Sequence, residues 1–184
     1  MSALLVLEDG SSFEGVSIGR AGERTGTVIL NTAVVGYQEI MTDPSNAGRI
    51  VVMTYPLIGN YGVADKFNES RKAWIGALVI KEKSAIASNW QAQDTFDSFV
   101  RDHGIVVMSE VDTRTVAVTI RDKGEMVGIV SSRGGNTAEL LKKVRDHGCR
   151  QPQAHIKTIS VKTVTKLNDG GTGPHIGIID LGIM

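Results

Sequence analysis

The sequence predicts an α/β domain, and two observations carry that expectation. Short, nearly continuous apolar runs rich in Val and Ile recur through the first half of the 184-residue chain. In the second half such runs alternate with stretches of helical spacing that end on glycine. Ala3–Leu7 is the first expected strand, stopped by the turn signal Glu8-Asp9-Gly10. Phe13, Val16 and Ile18 continue as a second, so the pair reads as a hairpin. Thr27–Leu30, Ile50–Met53 and Ile75–Ile80 follow. Apolar residues succeed one another in these runs instead of alternating with polar ones, as in strands covered on both faces.

The alternating half begins at Asp94. Residues 94–103 carry Phe96, Phe99 and Val100 on one helical face and stop at Gly104. Ile105–Met108 is a strand. Asp112 caps a helix running to Lys123, with Val116 and Ile120 on its inner face. Val127–Val130 is another strand, and Asn136 with Glu139 opens a helix carrying Leu140, Leu141 and Val144 to Gly148. The three helices end alike, in Arg101-Asp-His-Gly104, Arg121-Asp-Lys-Gly124 and Arg145-Asp-His-Gly148. This is termination chemistry and not a repeat: glycine supplies the left-handed residue after a helix, and a cation suits its negative end. From Asn168 the composition turns to NDGGTGP, a linker or surface loop, after which Ile176–Leu181 starts a new apolar strand.

Composition excludes several function classes. Twenty basic residues balance twenty acidic ones, so no overall positive field recruits nucleic acid. No stretch approaches the apolar length of a membrane helix, and the start MSALLVLEDGSS has neither the length nor the basic residues of a signal peptide. The single cysteine, Cys149, forms no internal disulfide, which fits a reducing compartment, and a cytoplasmic protein is expected.

Candidate chemistry is sparse. Cys149 has His147 two residues away, at a helix end that gives no reason for a productive pair. His103, His147, His155 and His175 show no metal-ligand spacing, so neither a metal nor a cofactor is expected in this chain. The glycines from Gly171 to Gly177 precede a strand instead of following one, which removes the dinucleotide reading. Ser132-Arg-Gly-Gly135 has the composition of an anion nest, but an ordinary surface loop is the better reading. Thr42-Asp43-Pro44-Ser45-Asn46 is good turn chemistry and places a hydroxyl, that of Ser45, at an exposed bend. No catalytic residue is expected.

Four segments in order, LVLEDGSSFEG (5–15), GTVILNTAVVGYQEIMTDPS (26–45), IVVMTYPLIGNYGV (50–63) and EVDTRTVAVTIRDKG (110–124), resemble the small, glutamine-hydrolysing subunit of carbamoyl-phosphate synthetase. The resemblance covers residues 3 to 131, weakens to Pro152, and returns in IKTISVKT and IGIIDLGIM. It implies that residues 1–152 are the N-terminal domain of that subunit, with a three-layer β/β/α swivelling fold. It further implies that 153–175 is a linker and that 176–184 is the first strand of a class I glutamine amidotransferase domain otherwise absent from the sequence. The family releases ammonia from glutamine for a large ATP-using subunit that makes carbamoyl phosphate, which serves pyrimidine and arginine synthesis. The resemblance assigns Ser45 a contact with glutamine, and names as partners the large subunit, the amidotransferase domain and glutamine, with no nucleic acid and no membrane. The chain alone is expected to be inactive. The rival expectation is a stand-alone, non-catalytic interaction module derived from this domain.

Overall fold

The computed structural model describes residues 2–133, 135–148, 155–166, 171–174 and 176–182. Cys149 and His175 lie outside these residues, as do Gly134 in the nest-like loop and residues 167–170 at the start of the glycine-rich stretch.

The α/β class is as expected. β1 (Ser2–Leu7) and β2 (Ser12–Ser17) form the hairpin, with Leu5 opposite Phe13. β3 (Glu23–Asn31) starts earlier than its apolar run, because Glu23 to Gly26 pair with β9 (Met126–Ser131) regardless of their polarity. β4 (Ile50–Met53), β6 (Ala77–Val79) and β8 (Val106–Ser109) follow the expected runs, β6 trimmed at both ends. Two short segments that no periodicity marks, β5 (Leu57–Ile58) and β7 (Glu82–Lys83), pair in parallel as a separate ribbon.

The seven longer strands close on themselves in the order β1-β2-β8-β6-β4-β3-β9. β3, β4, β6 and β8 run parallel, and the remaining pairings are antiparallel. Closure sorts side chains by parity. Leu5, Leu7, Ile50, Val52, Ala77, Val79, Val106 and Met108 point inward and fill one core cluster. Their neighbours Val51, Leu78 and Val107 point outward into a second. β4, β6 and β8 are therefore buried at every position, which explains their unbroken apolar runs.

Helices cover what the barrel turns outward. α1 (Tyr37–Thr42) and α2 (Phe96–Asp102) contribute Tyr37, Met41, Phe96, Phe99 and Val100 to the outer cluster over the parallel strands. α4 (Thr137–Gly148) lays Leu140 and Val144 on Val6 and Ile129. α3 (Thr113–Lys123) instead contributes Val116 and Ile120 to the interior cluster and so stoppers the barrel. Its cap is the expected one: Asp112 accepts from the Thr115 amide at 3.1 Å and from its hydroxyl at 2.7 Å, which holds the carboxyl below the usual carboxylate range. Glu110, between β8 and α3, is the only non-glycine with positive φ among the described residues, at 62°.

α5 (Ile156–Ile159) is a single turn inside the segment expected to be a linker. Residues 176–181 do not form the expected strand. Ile176, Ile178 and Ile179 are exposed, because a closed barrel leaves no edge for another strand to pair with. Among the described residues no helix is long and apolar enough to cross a membrane.

Closure brings backbones close at Gly26, where a Cβ would lie 2.3 Å from the Gly48 carbonyl oxygen. Gly26→Ala is expected to destabilise the fold by about 1–3 kcal/mol, since two backbone segments must move apart. Urea denaturation measures this, and a change under about 0.5 kcal/mol, the ordinary range for an unstressed substitution, would show that β3 and the Gly48 turn are free to separate.

Candidate functional site

The turn that carries Ser45 is built by its neighbours. Pro44 presets the first φ of a 3₁₀ turn over Pro44–Asn46, and Asp43 caps it by accepting from the Ser45 amide at 2.7 Å. The Ser45 hydroxyl donates to the other Asp43 oxygen, also at 2.7 Å. Its one proton is thus engaged, and its lone pairs face outward as acceptors. Pro44 is buried while Ser45 is exposed, so the turn presents the hydroxyl and anchors its own base. Asn46 ties the turn back to α1 through a 3.0 Å bond to the Ile40 carbonyl.

The exposed hydroxyl lines a cleft of about 460 Å³ between this turn, β3 and α5. His155 and Ile159 form its far wall. The His155 ring lies so close to Gly48 that a Cβ there would sit 2.9 Å from it, and Gly48 has φ of 73°. A side chain on Gly182 would meet Pro44 at 3.4 Å. The segment that follows the barrel is therefore folded against the Ser45 turn.

Residues that sequence reasoning passed over hold this region in place. Tyr61 accepts from the amides of Gly36, at 2.6 Å, and Tyr37, at 3.1 Å, where the chain enters α1. The two tyrosine rings stack at 4.2 Å, and the Tyr37 hydroxyl donates to the Gly62 carbonyl at 2.5 Å. Gln38 acts as a surrogate peptide group, accepting from the Ala64 amide at 3.0 Å and donating to its carbonyl at 2.8 Å. Thr42, Ser70 and Trp74 continue the network: Ser70 donates to the Thr42 carbonyl and accepts from the Trp74 indole, each at 2.6 Å. Gly36 followed by Tyr37 and Gln38 names no partner for either side chain, so the sequence carried no signal for this network.

Burial pushes the Tyr37 and Tyr61 hydroxyls above the usual tyrosine value, and the Glu39 carboxylate adds to both shifts. Glu39 Oε2 is the one buried side-chain polar atom without a partner among the described residues.

Of the remaining candidates, two histidines reach the Ser45 cleft. Ser132 is buried, and its hydroxyl accepts from the Gly22 amide at 2.7 Å, joining the end of β9 to the turn before β3. His103 stacks on Phe99 at 4.1 Å, at the end of α2. His147 and His155 both line the Ser45 cleft, with Glu125 as a third polar neighbour. No group of three or more metal-ligating side chains occurs among the described residues. The arrangement can position a ligand by hydrogen bonding; among the described residues it assembles no nucleophile with a base.

The family model for the carbamoyl-phosphate synthase small chain, CPSase domain, matches residues 5–130. Carbamoyl phosphate synthase small chain from Aquifex aeolicus is 39% identical over 97% of this chain and 48% of its own length. The protein of that name from Chlorobaculum tepidum is 46% identical over 75% of this chain and 38% of its own. The one from Nitratidesulfovibrio vulgaris (strain Miyazaki F) is 38% identical over all of this chain and 53% of its own. The chain thus spans about half the length of the curated relatives it matches. A solved aminopeptidase from Aneurinibacillus sp. strain AM-1 aligns at TM-score 0.37 and 15% identity over 70% of this chain and 30% of that one, too slight a likeness to carry an argument.

Tyr61→Phe is expected to cost about 1–3 kcal/mol, because two amides lose their shared acceptor. Amide exchange at Gly36 and Tyr37 should accelerate more than elsewhere, and unchanged protection would remove Tyr61 from this role. The raised tyrosine values also set an alkaline limit. Above about pH 10 the unfolded chain loses phenolic protons that the native chain retains, so stability falls as pH rises. Denaturant midpoints measured from pH 8 to 11 should decline, and the decline should weaken in Tyr61→Phe.

Proposed function

The chain belongs to the carbamoyl-phosphate synthase small chain family, and from that premise we propose that it is the N-terminal structural and subunit-docking domain of a cytoplasmic, glutamine-hydrolysing enzyme. Ammonia freed from glutamine would pass to a large, ATP-using chain that makes carbamoyl phosphate for pyrimidine and arginine synthesis. Bond-breaking belongs to an amidotransferase domain following this one. In this reading the closed barrel with helices on its outer faces is the swivelling β/β/α domain, and the run at 176–184 begins the amidotransferase domain.

The observation that carries the proposal is the Ser45 turn. Asp43 holds the Ser45 proton, so the hydroxyl offers lone pairs to a donor. Glutamine has such donors in its α-ammonium and its side-chain amide. Ser45 would then position glutamine across the domain boundary and take no part in making or breaking bonds. The folding of α5 and Gly182 against this turn supports the location, since it brings the following segment to the same cleft.

Two outcomes follow. Glutamine added to this chain alone should yield no ammonia, and activity that survives repurification would overturn the division of labour. In the full-length enzyme paired with its large chain, Ser45→Ala should raise the apparent KM for glutamine about 2- to 12-fold, the loss of one hydrogen bond of about 0.5–1.5 kcal/mol. Ammonia-dependent synthesis should be unchanged. An unaltered glutamine response would take Ser45 out of the site.

A further inference from the structure

β3, β4 and β6 run parallel, so their C-terminal ends open on one side of the barrel. The residues after them, Thr32, Thr54 and Lys81, meet the first two turns of α3 around a cleft of about 550 Å³. Parallel sheets offer ligands this end of their strands. The floor is apolar, formed by Leu30, Pro56 and Ala117, with Val118 39% exposed beside it. The rim is cationic, formed by Lys81, Arg114 and Arg121. The formal net charge of the chain is zero, so this cluster is local and not a share of a general excess.

The charges on this rim are poorly answered from within. Arg121 pairs with its exposed neighbour Asp122 at 3.0 Å. Lys81 and Arg114 form no ion pair among the described residues. Asp112 feels the Lys81 charge, but both of its oxygens are engaged in capping α3. Thr113 is 2% exposed. It lines the cleft beside Arg114.

We propose that this cleft docks an acidic, partly apolar segment of the large chain, with carboxylates on Lys81 and Arg114 and an apolar side chain on the floor beside Pro56 and Val118. The inference rests on the pairing with a large chain proposed above and names the face that makes it. A guanidinium engages a carboxylate with two parallel bonds, and the Lys81 ammonium adds a second cation. A bare phosphate would answer the charges but leave the apolar floor wet, whereas protein interfaces combine an apolar centre with arginine and a polar rim.

The test uses the full-length protein and its purified large chain, with binding measured by titration calorimetry. The double variant Lys81→Glu, Arg114→Glu should weaken the dissociation constant at least about tenfold. Lys81→Gln, Arg114→Gln should fall between it and wild type, which guards against misfolding of the reversed pair. Lys142→Glu, on α4 over β1 and β9, should bind like wild type. Raising the salt should weaken wild type more than the double variant. Absence of any wild-type complex would remove the pairing itself. A complex in which both double variants bind like Lys142→Glu would overturn the docking cleft while leaving the pairing standing. Titration with inorganic phosphate separates the other occupant: phosphate binding lost in the double variants, with large-chain affinity unchanged, would make this a small-anion site and also overturn the proposal.

Discussion

Everything in this domain depends on the pairing of β3 on both sides, parallel with β4 and antiparallel with β9. That double pairing closes the sheet and removes its edges. Once closed, the barrel has an inside and an outside, and alternate residues of each strand must go to one or the other. Val51 and Val52 are adjacent in sequence and belong to different cores. β4, β6 and β8 are buried throughout, and apolar but for Ser109, because neither side is left to water. The helices then follow from demand: α1 and α2 cover one outer face, α4 covers another, and α3 fills the open mouth.

The candidate surfaces use what closure leaves over. In the parallel half of the barrel, the strand ends and the turns between strands cannot be buried without losing backbone hydrogen bonds. They remain at the surface, where polar residues are tolerated. The Ser45 turn joins α1 to β4, and the cationic cleft lies where three parallel strands end. Both are held by rigid neighbours. Asp43 fixes the hydroxyl of Ser45, while the stacked Tyr37 and Tyr61 fix the entry to α1. A positioning role needs this stiffness, because a hydroxyl that wanders by an ångström no longer discriminates one ligand pose from another.

The network around Tyr61 illustrates how buried polarity is satisfied without regular structure. Between β5 and β6 the chain joins no named strand, and side chains supply bonds that a ladder would give. Gln38 supplies a donor and an acceptor to Ala64, as a strand would, and Tyr61 collects two amides at once. Such substitutes bond specific atoms and so fix specific geometry. They also explain how a long, irregular stretch becomes a supporting wall for α1.

The sequence by itself determined the seven barrel strands, the helices α2, α3 and α4, the double-sided burial of β4, β6 and β8, the helix cap at Asp112, and the exposed bend at Ser45. These are local: periodicity, propensity and turn chemistry act within a few residues and can be read there. The family was likewise legible in four ordered motifs, and the match over residues 5–130 agrees with it. Closure of the barrel was not legible, because Thr25 meets Ile129 across more than a hundred residues and nothing in either segment names the other. The β5–β7 ribbon, the roles of Tyr37, Gln38 and Tyr61, and the gathering of Lys81 with Arg114 share that origin. The run at 176–181 shows the converse: its composition is that of a strand, but a strand exists only with a neighbour to pair with, and tertiary structure decides whether one is there.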